Sequence, residues 1–318
     1  MNISIIIPNY NGKKLLQKNL PKVFEAAYFY AKKSNSEVEV VIVDDDSTDN
    51  SVSSIKYYVL GIKDKNVAFK ILQNEKNLGF SSTINKGVMD AKGEIVVLLN
   101  TDVAPQKYFL EPLIASFKDE NVFAVGCMDK SIEGKKTILR GRGIGKWRQG
   151  FLVHARGEVD KTNTLWVSGG SGAFRKTMWE KIGGFNELYN PFYWEDIDIS
   201  YRALKAGYKV LFEPKSTVFH EHEKGAIKKK YSLFQIKIIA YRNQFIFVWE
   251  NLTDLDLQLL HILWLPYHFV KSLLKGDFAF ILGFFQAFIR LPKIIQSSFK
   301  AQKIFIKKDK DIVGEFVE

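Results

Sequence analysis

Short apolar runs that stop abruptly at polar clusters dominate the first part of the chain. Ile95–Leu99 is the clearest: five apolar residues end at Asn100-Thr101-Asp102. A run of this length between polar residues fits a strand buried on both faces, as in a parallel sheet. Residues 3–7, 38–43, 67–72 and 122–126 repeat the pattern. Segments of helical spacing stand between them. Lys13–Lys32 places Leu16, Leu20, Val23, Phe24 and Ala27 on one face, and Pro21 should bend or restart it. Ser47 or Asp49 can cap a helix from about Asn50, and another helix runs from Leu78-Gly79 to about Asp90. Pro105 suits the first turn of a further helix. Strands alternating with helical spacers predict right-handed crossovers, hence an α/β fold with a mostly parallel sheet.

The second part is less regular. Residues 129–165 read as a loop or irregular hairpin region, crowded with glycine and arginine at Arg140–Lys146. Trp166–Arg175 reads as a strand, a glycine-dense turn and a second short strand. Thr177 should cap a short helix stopped by Gly183-Gly184. Glu195, Asp196 and Asp198 open a helix that ends near Gly207, and Val210–Phe212 and Ser216–His220 are strands. Phe234–Glu250, Leu255–Lys275 and Phe278–Lys293 are apolar, aromatic helices with scattered charges, and Pro266 should kink the second. Their composition fits helices lying in a membrane interface; an apolar face packed on the rest of the chain or on a second copy is the alternative. The tail Lys303–Glu318 should fray. These shifts divide the chain into residues 1–227, with halves 1–128 and 129–227, and a helical appendage at 228–318.

Composition narrows the possibilities. The 318 residues are 46% hydrophobic and 25% charged, the balance of a globular protein. The single cysteine, Cys127, excludes an internal disulfide and a cysteine-rich zinc site, and its apolar surroundings make it a structural thiol. A reducing, cytoplasmic setting is compatible with this usage. A net charge of +11 attracts an anionic partner: nucleic acid, an anionic membrane or a phosphorylated substrate. Glycine with arginine at Arg140–Lys146 can bind phosphates or RNA, and a solvated loop is an equal alternative; no RNA-binding module signature accompanies it, so nucleic acid is not expected. No basic leader precedes the first strand, and no stretch reads as a simple membrane span.

The polar clusters carry the chemistry. Pro8-Asn9-Tyr10-Asn11, Asp44-Asp45-Asp46 and Asn100-Thr101-Asp102 all stand at carboxyl ends of strands, where open α/β sheets bind ligands. For a nucleoside diphosphate, Asp44 and Asp45 supply acceptors for base and ribose. Asp102 supplies an oxygen to a divalent cation that holds the diphosphate. Mg²⁺ or Mn²⁺ suits such ligands; Mn²⁺ also accepts imidazole, and His220 ends a later strand. A lone histidine is more often structural. Group transfer to an alcohol needs a general base, and the Glu195-Asp196 pair at a helix N-terminus is the candidate.

These residues resemble family 2 glycosyltransferases of the GT-A fold, in particular their rhamnosyltransferase-like branch. The resemblance rests on SIIIPNYNG at Ser4–Gly12, VVIVDDDSTDNS at Val40–Ser51, NEKNLGFSSTINKG at Asn74–Gly87 and GEIVVLLNTD at Gly93–Asp102. VSGGSGAFRK at Val167–Lys176, IGGFNE at Ile182–Glu187, YWEDIDISYRALKAGYKV at Tyr193–Val210 and VFHEHEKG at Val218–Gly225 follow in family order. It implies an inverting transferase that moves a sugar from a nucleotide diphosphate to a hydroxyl of a lipid-linked glycan or surface polysaccharide, with UDP- or dTDP-sugars favoured. Pro8, Asn9, Tyr10, Asn11, Asp44, Asp45, Asn77, Gly79 and Asn100 would bind the nucleotide. Asp102 and His220 would hold Mn²⁺ or Mg²⁺. Asp196 would be the base with Glu195 beside it, and Gly169, Gly170 and Trp194 would meet the acceptor. Glu221–Lys230 would be a mobile loop, and Leu255–Lys293 would lie at the inner face of the cell membrane. Asn100 replaces the more usual first Asp of the DxD-type motif. Asp46 replaces a usual glycine, and Asp is among the few residues that tolerate φ > 0. A non-catalytic sugar-nucleotide or membrane-binding module on a retained fold is the alternative.

Overall fold

The computed structural model describes residues 1–60, 66–133, 136–220 and 230–316. The first part alternates as its apolar runs predict. Strands β1 (Ile3–Asn9), β2 (Val38–Asp44), β3 (Val67–Gln73) and β4 (Ile95–Leu99) are linked through helices α1 (Lys13–Ser34), α2 (Ser51–Leu60) and α3 (Phe80–Asp90). All four strands are parallel, and β1 lies between β2 and β4. Every residue of β4 is buried, as its unbroken run requires. Connections leave β1 towards β2 on one side while β4 closes the other, so a crevice opens at the carboxyl ends between them.

The other half of the sheet mixes directions. β5 (Val103–Pro105), β6 (Val122–Glu133), β7 (Lys136–Arg140), β10 (Ser171–Arg175) and β11 (Lys209–His220) complete nine strands. β10 runs antiparallel to both β4 and β6, whereas β11 runs parallel to β6. β8 (Gly143–Arg148) and β9 (Phe151–Arg156) form a separate hairpin. Helices α4 (Leu110–Ala115), α5 (Lys176–Ile182) and α6 (Glu195–Lys205) complete this region.

Several expectations are corrected here. Pro105 pairs with Val218 at the sheet edge, and the helix after it begins at Leu110; an edge strand tolerates the missing N–H. Pro21 lies inside one continuous helix and does not restart it. Residues 129–156 are largely strand, hidden from a periodicity reading because β7 is mostly exposed and charged. Trp166 and Val167 precede β10 without forming a strand. Thr177 sits within α5, whose first residue is Lys176, and does not cap it. The two strands expected at 210–220 are one, with a register shift between Glu213 and Thr217. Asp49 does cap α2: its Oδ1 accepts from the Ser51 N–H at 3.0 Å. Asp46 has φ of 64°, the left-handed conformation its side chain tolerates. Cys127 is buried against Ser216 Oγ, and burial pushes its thiol up to about 12.

The C-terminal helices α7 (Leu233–Asn251), α8 (Leu255–Leu274), α9 (Phe278–Phe288), α10 (Leu291–Gln302) and α11 (Asp309–Gly314) share a core with the sheet layer. Phe245 and Phe247 of α7 and Phe280 of α9 pack with Phe151, Tyr189 and Trp194. The tail is docked, not frayed. Asp309 is fully buried and accepts from Tyr201 Oη at 2.7 Å and Lys205 Nζ at 3.0 Å, both on α6. It also accepts from the Thr253 and Asp254 N–H groups. The loop expected at Glu221–Lys230 lies, apart from Lys230, outside the described residues.

Removing the Asp309 carboxylate strands a buried ammonium, and breaking a buried pair this way costs about 3–5 kcal/mol. Asp309→Ala should therefore lower the unfolding free energy by that amount in chemical denaturation. A loss under about 1 kcal/mol would mean that the Lys205 pair does not anchor the tail.

Candidate functional site at the carboxyl edge of the sheet

A cleft of about 530 Å³ opens where β1 and β4 diverge, within the range of small-molecule sites. It is lined by Pro8, Asn9, Tyr10, Asp45, Asn77, Gly79, Asn100, Asp102 and His220. Gly169, Gly170, Glu195 and Asp196 also line it. Three polar strand ends and the start of α6 thus share one site.

The β1 end is braced internally. Asn9 Nδ2 donates to Asp44 Oδ1 at 2.6 Å and Ser51 Oγ at 2.9 Å, while Asn9 Oδ1 accepts from the Gly12 N–H at 3.1 Å. Asp44 Oδ2 accepts from the Ser47 N–H at 3.1 Å. Asp44 is buried in this brace and does not line the cleft; nor does Asn11, whose Oδ1 accepts from the Thr48 N–H. Asp45 does reach the cleft. Its Oδ1 accepts from Asn74 Nδ2 and the Leu78 N–H, both at 2.8 Å, and its Oδ2 from the Gly79 N–H at 2.9 Å. Gly79 has φ of 92°, which frees that N–H to point at the carboxylate as α3 begins.

At the β4 end, the Asn100 N–H donates to the Gly170 carbonyl at 3.0 Å. A Cβ on Gly170 would lie 2.5 Å from Asn100 Nδ2, so only glycine lets β10 pass so close. Asp102 Oδ1 lies 3.3 Å from His220 Nε2. Two ligands of one octahedral ion, each about 2.1 Å from it, stand about 3 Å apart when adjacent. An oxygen and an imidazole nitrogen at this spacing therefore fit a shared Mg²⁺ or Mn²⁺. Among the described residues no group of three or more His, Cys, Asp or Glu side chains could hold an ion alone. The remaining positions would fall to water or a bound phosphate, as is usual for Mg²⁺. Burial works against the His220 imidazolium, but hydrogen bonds to Asp102 and Asp129 outweigh it and raise the ring to about 9.

The turn that leads into α6 is strained. Tyr193 and Trp194 have φ of 74° and 78°, an unusual conformation for bulky residues. Asn243 of α7 holds this turn by donating to the Phe192 and Tyr193 carbonyls at 2.9 and 2.8 Å. Trp194 is buried against His154 and Phe247 and does not line the cleft. Burial, then the neighbouring Asp196, pushes Glu195 well above the usual carboxylate range. Burial also raises Asp196, against the backbone donors of Gly169 and Ile197. Burial thus raises both carboxyls of the pair.

Sequence reasoning missed three contributors. Arg140 lines the cleft, whereas Arg142 nearby is a buried strut that donates to the Asn163 carbonyl at 2.8 Å. Lys230 Nζ lies 4.4 Å from the Tyr10 ring centroid and 3.4 Å from Asn77 Oδ1. Asp129 abuts His220. Arg140 and Lys230 were visible only as members of basic runs, and Asp129 only as one acid at the end of an apolar run.

Behind α6 lies a second charged cluster. Arg202 donates to Asp198 Oδ2 through Nε at 2.9 Å, and Glu250 of α7 accepts from Asn186 at 2.7 Å and Ser297 at 2.6 Å. Tyr189 Oη bridges Asp198 and Glu250. Burial, then Asp198, pushes Glu250 up to about 7 against the pull of Arg202.

The family described as Glycosyl transferase family 2 matches residues 4–183, more than half of the chain. The O-antigen chain rhamnosyltransferase WbaN of Salmonella anatum is 25% identical over 226 residues, covering 70% of this chain and 66% of that protein. Staphylococcus aureus TarS 1–349, solved with UDP-GlcNAc, aligns with a TM-score of 0.60 at 18% identity over 98% of this chain and 89% of that one. The mannosyltransferase PcManGT of Pyrobaculum calidifontis, solved with GDP-Man and Mn²⁺, gives 0.57 at 18% identity over 95% and 85%. These likenesses show the fold, which is GT-A.

The raised Glu250 carboxyl sets a pH dependence. Its folded pKa lies above the unfolded value, so its contribution to stability is present below about pH 4.5 and is lost as pH rises through about 7. Between pH 5 and 8 the wild type should lose stability relative to Glu250→Gln, read from paired thermal melts. Parallel curves would contradict the shift.

Proposed function

This chain belongs to glycosyl transferase family 2, and from that premise we propose that it is an inverting glycosyltransferase. It moves a sugar from a nucleotide-diphosphate donor, UDP- or dTDP-linked, to a hydroxyl of a lipid-linked glycan or surface polysaccharide. The observation that carries this reading is the convergence of Asp45, Asn100, Asp102, His220 and Asp196 on one cleft. The nucleoside lies against Tyr10, Asp45 and Asn77, and the diphosphate against Asp102 and His220, with Arg140 and Lys230 at hand. Gly169 and Gly170 line the part of the cleft assigned to the sugar and acceptor.

Asp196 takes the proton of the acceptor hydroxyl. The acceptor oxygen bonds to the anomeric carbon on the face away from the diphosphate, and the bond from that carbon to the diphosphate oxygen breaks, its electron pair leaving with the diphosphate. The configuration at that carbon inverts. Burial raises both carboxyls, which makes Asp196 more basic as a proton acceptor. Asp102 and His220 would hold Mn²⁺ or Mg²⁺, which would supply Lewis-acid stabilisation of the departing diphosphate. The retained Asp196 and its backbone donors favour catalysis over a non-catalytic module.

The C-terminal helices supply the setting. α8 turns Leu255, Leu259, Ile262, Leu263, Val270 and Leu274 outward, and α9 adds Phe278, Phe285 and Ile289. Leu263 is 72% and Leu274 83% exposed, far beyond the scattered apolar residues of an ordinary surface. No single described helix is long and apolar enough to cross a membrane, although α9 and α10 pass that test together across a 69° bend. Lys271, Lys275, Arg290 and Lys293 accompany this face, on a chain of net charge +11. That pairing of apolar area with basic residues fits a peripheral enzyme on the anionic inner face of the cell membrane.

Asp196→Asn should reduce transfer at least about 100-fold while leaving donor affinity nearly unchanged; full activity would remove Asp196 from the mechanism. Leu263→Glu with Phe285→Glu should abolish co-sedimentation with phosphatidylserine vesicles in low salt. Unchanged vesicle binding, or a dimer of the wild type that these changes split, would exclude the membrane as the partner of this face.

A further inference from the structure

β6 runs seven residues beyond the end expected from its apolar run, to Glu133, and this extension delivers Asp129 to the back of the cleft. Its parallel register with β11 sets Asp129 opposite Val218 and Ser131 opposite His220. Alternate residues of a strand share a face, so Asp129, Ser131 and His220 lie on the same side of the sheet. Asp129 is buried. Its Oδ1 accepts from Ser131 Oγ at 3.0 Å, and its Oδ2 lies 2.9 Å from His220 Nδ1. A carboxylate at that distance accepts, so Nδ1 carries a hydrogen. Nε2 is then the ring atom that faces Asp102 Oδ1, 3.3 Å away.

We propose that Asp129 is a positioning residue for the divalent cation: it fixes the tautomer and orientation of His220 so that the Nε2 lone pair joins Asp102 at the ion. Without it, the ring loses the acceptor that keeps its proton on Nδ1, and a proton on Nε2 would bar that atom as a ligand. Ser131 fixes Asp129 in turn, so a chain of hydrogen bonds from Ser131 through Asp129 sets the geometry at Asp102. Carboxylate partners of metal-bound histidines act in this way, and their removal typically weakens metal binding about 10–100-fold. The inference rests on the metal role of Asp102 and His220 proposed above, and goes beyond it in assigning a third, non-ligating carboxylate.

The test is Mn²⁺ titration of the full-length protein, with free Mn²⁺ read by electron paramagnetic resonance. Asp129→Ala should weaken Mn²⁺ binding about 10–100-fold, and the isosteric Asp129→Asn, whose amide oxygen still accepts from Nδ1, should fall between it and wild type. His220→Ala should weaken binding at least as much as Asp129→Ala. The double variant should be no worse than His220→Ala alone, because Asp129 acts only through the ring. ¹⁵N spectra of the histidine ring should show Nδ1–H for wild type with Mg²⁺ bound, and a mixture of tautomers for Asp129→Ala. If His220→Ala weakens binding and neither Asp129 variant does, the positioning role is overturned while the metal site stands. If His220→Ala also binds as wild type, the metal reading falls and the role of Asp129 with it. Should Asp129→Ala fail to fold, the Asp129→Asn titration decides: wild-type affinity overturns the proposal.

Discussion

The pairing of β1 with β2 on one side and β4 on the other is the constraint from which the site follows. It puts Asn9, Asp45 and Asp102 at one edge of the sheet and leaves a crevice between strands whose connections diverge. Apart from the buried Ser4–Glu39 pair, the interiors of β1, β2 and β4 are apolar, so the polar groups gather where the strands stop. β10 then enters antiparallel against β4, and Gly170 lets it approach Asn100 closely enough to close the crevice into a cleft.

The turn that leads into α6 depends on a different force. The N-terminus of α6 carries two buried carboxyls after a turn with two bulky residues at positive φ. Such a turn persists only if its surroundings over-determine it. Asn243, Glu250 and Asp309, all from the C-terminal segment, hold the turn and the back of α6. The segment that presents an apolar face outward therefore also supports the Glu195-Asp196 pair from behind. Removing it to test membrane binding would remove that support, which is why point substitutions on its outer face are the informative experiment.

Legibility followed burial. β1 to β4 could be read because each is an apolar run, and the polar residues that end the runs gave Asp45 and Asp102 their places, while the acids that open α6 gave Asp196 its own. Asp44, equally acidic, turned inward to brace Asn9, and no pattern separates it from Asp45. Trp194 looked like a pocket wall but packs in the core, since a reversal of the chain at positive φ sends it opposite to its neighbours. β7 escaped notice because an exposed edge strand needs no apolar alternation. Asp129 escaped because the strand that carries it continues through charged residues. The apolar helices were read as one class, yet α7 is a core helix and only α8 and α9 turn broad apolar faces outward.

A crystal structure of the full-length protein with a nucleoside diphosphate and Mn²⁺ tests the central claim most directly. The account predicts the ion on Asp102 and His220, bridging to the diphosphate, with the base against Asp45 and the Asp196 carboxylate free to receive a proton. A nucleotide bound away from the β1–β4 crevice, or an ion that ignores both Asp102 and His220, would contradict it.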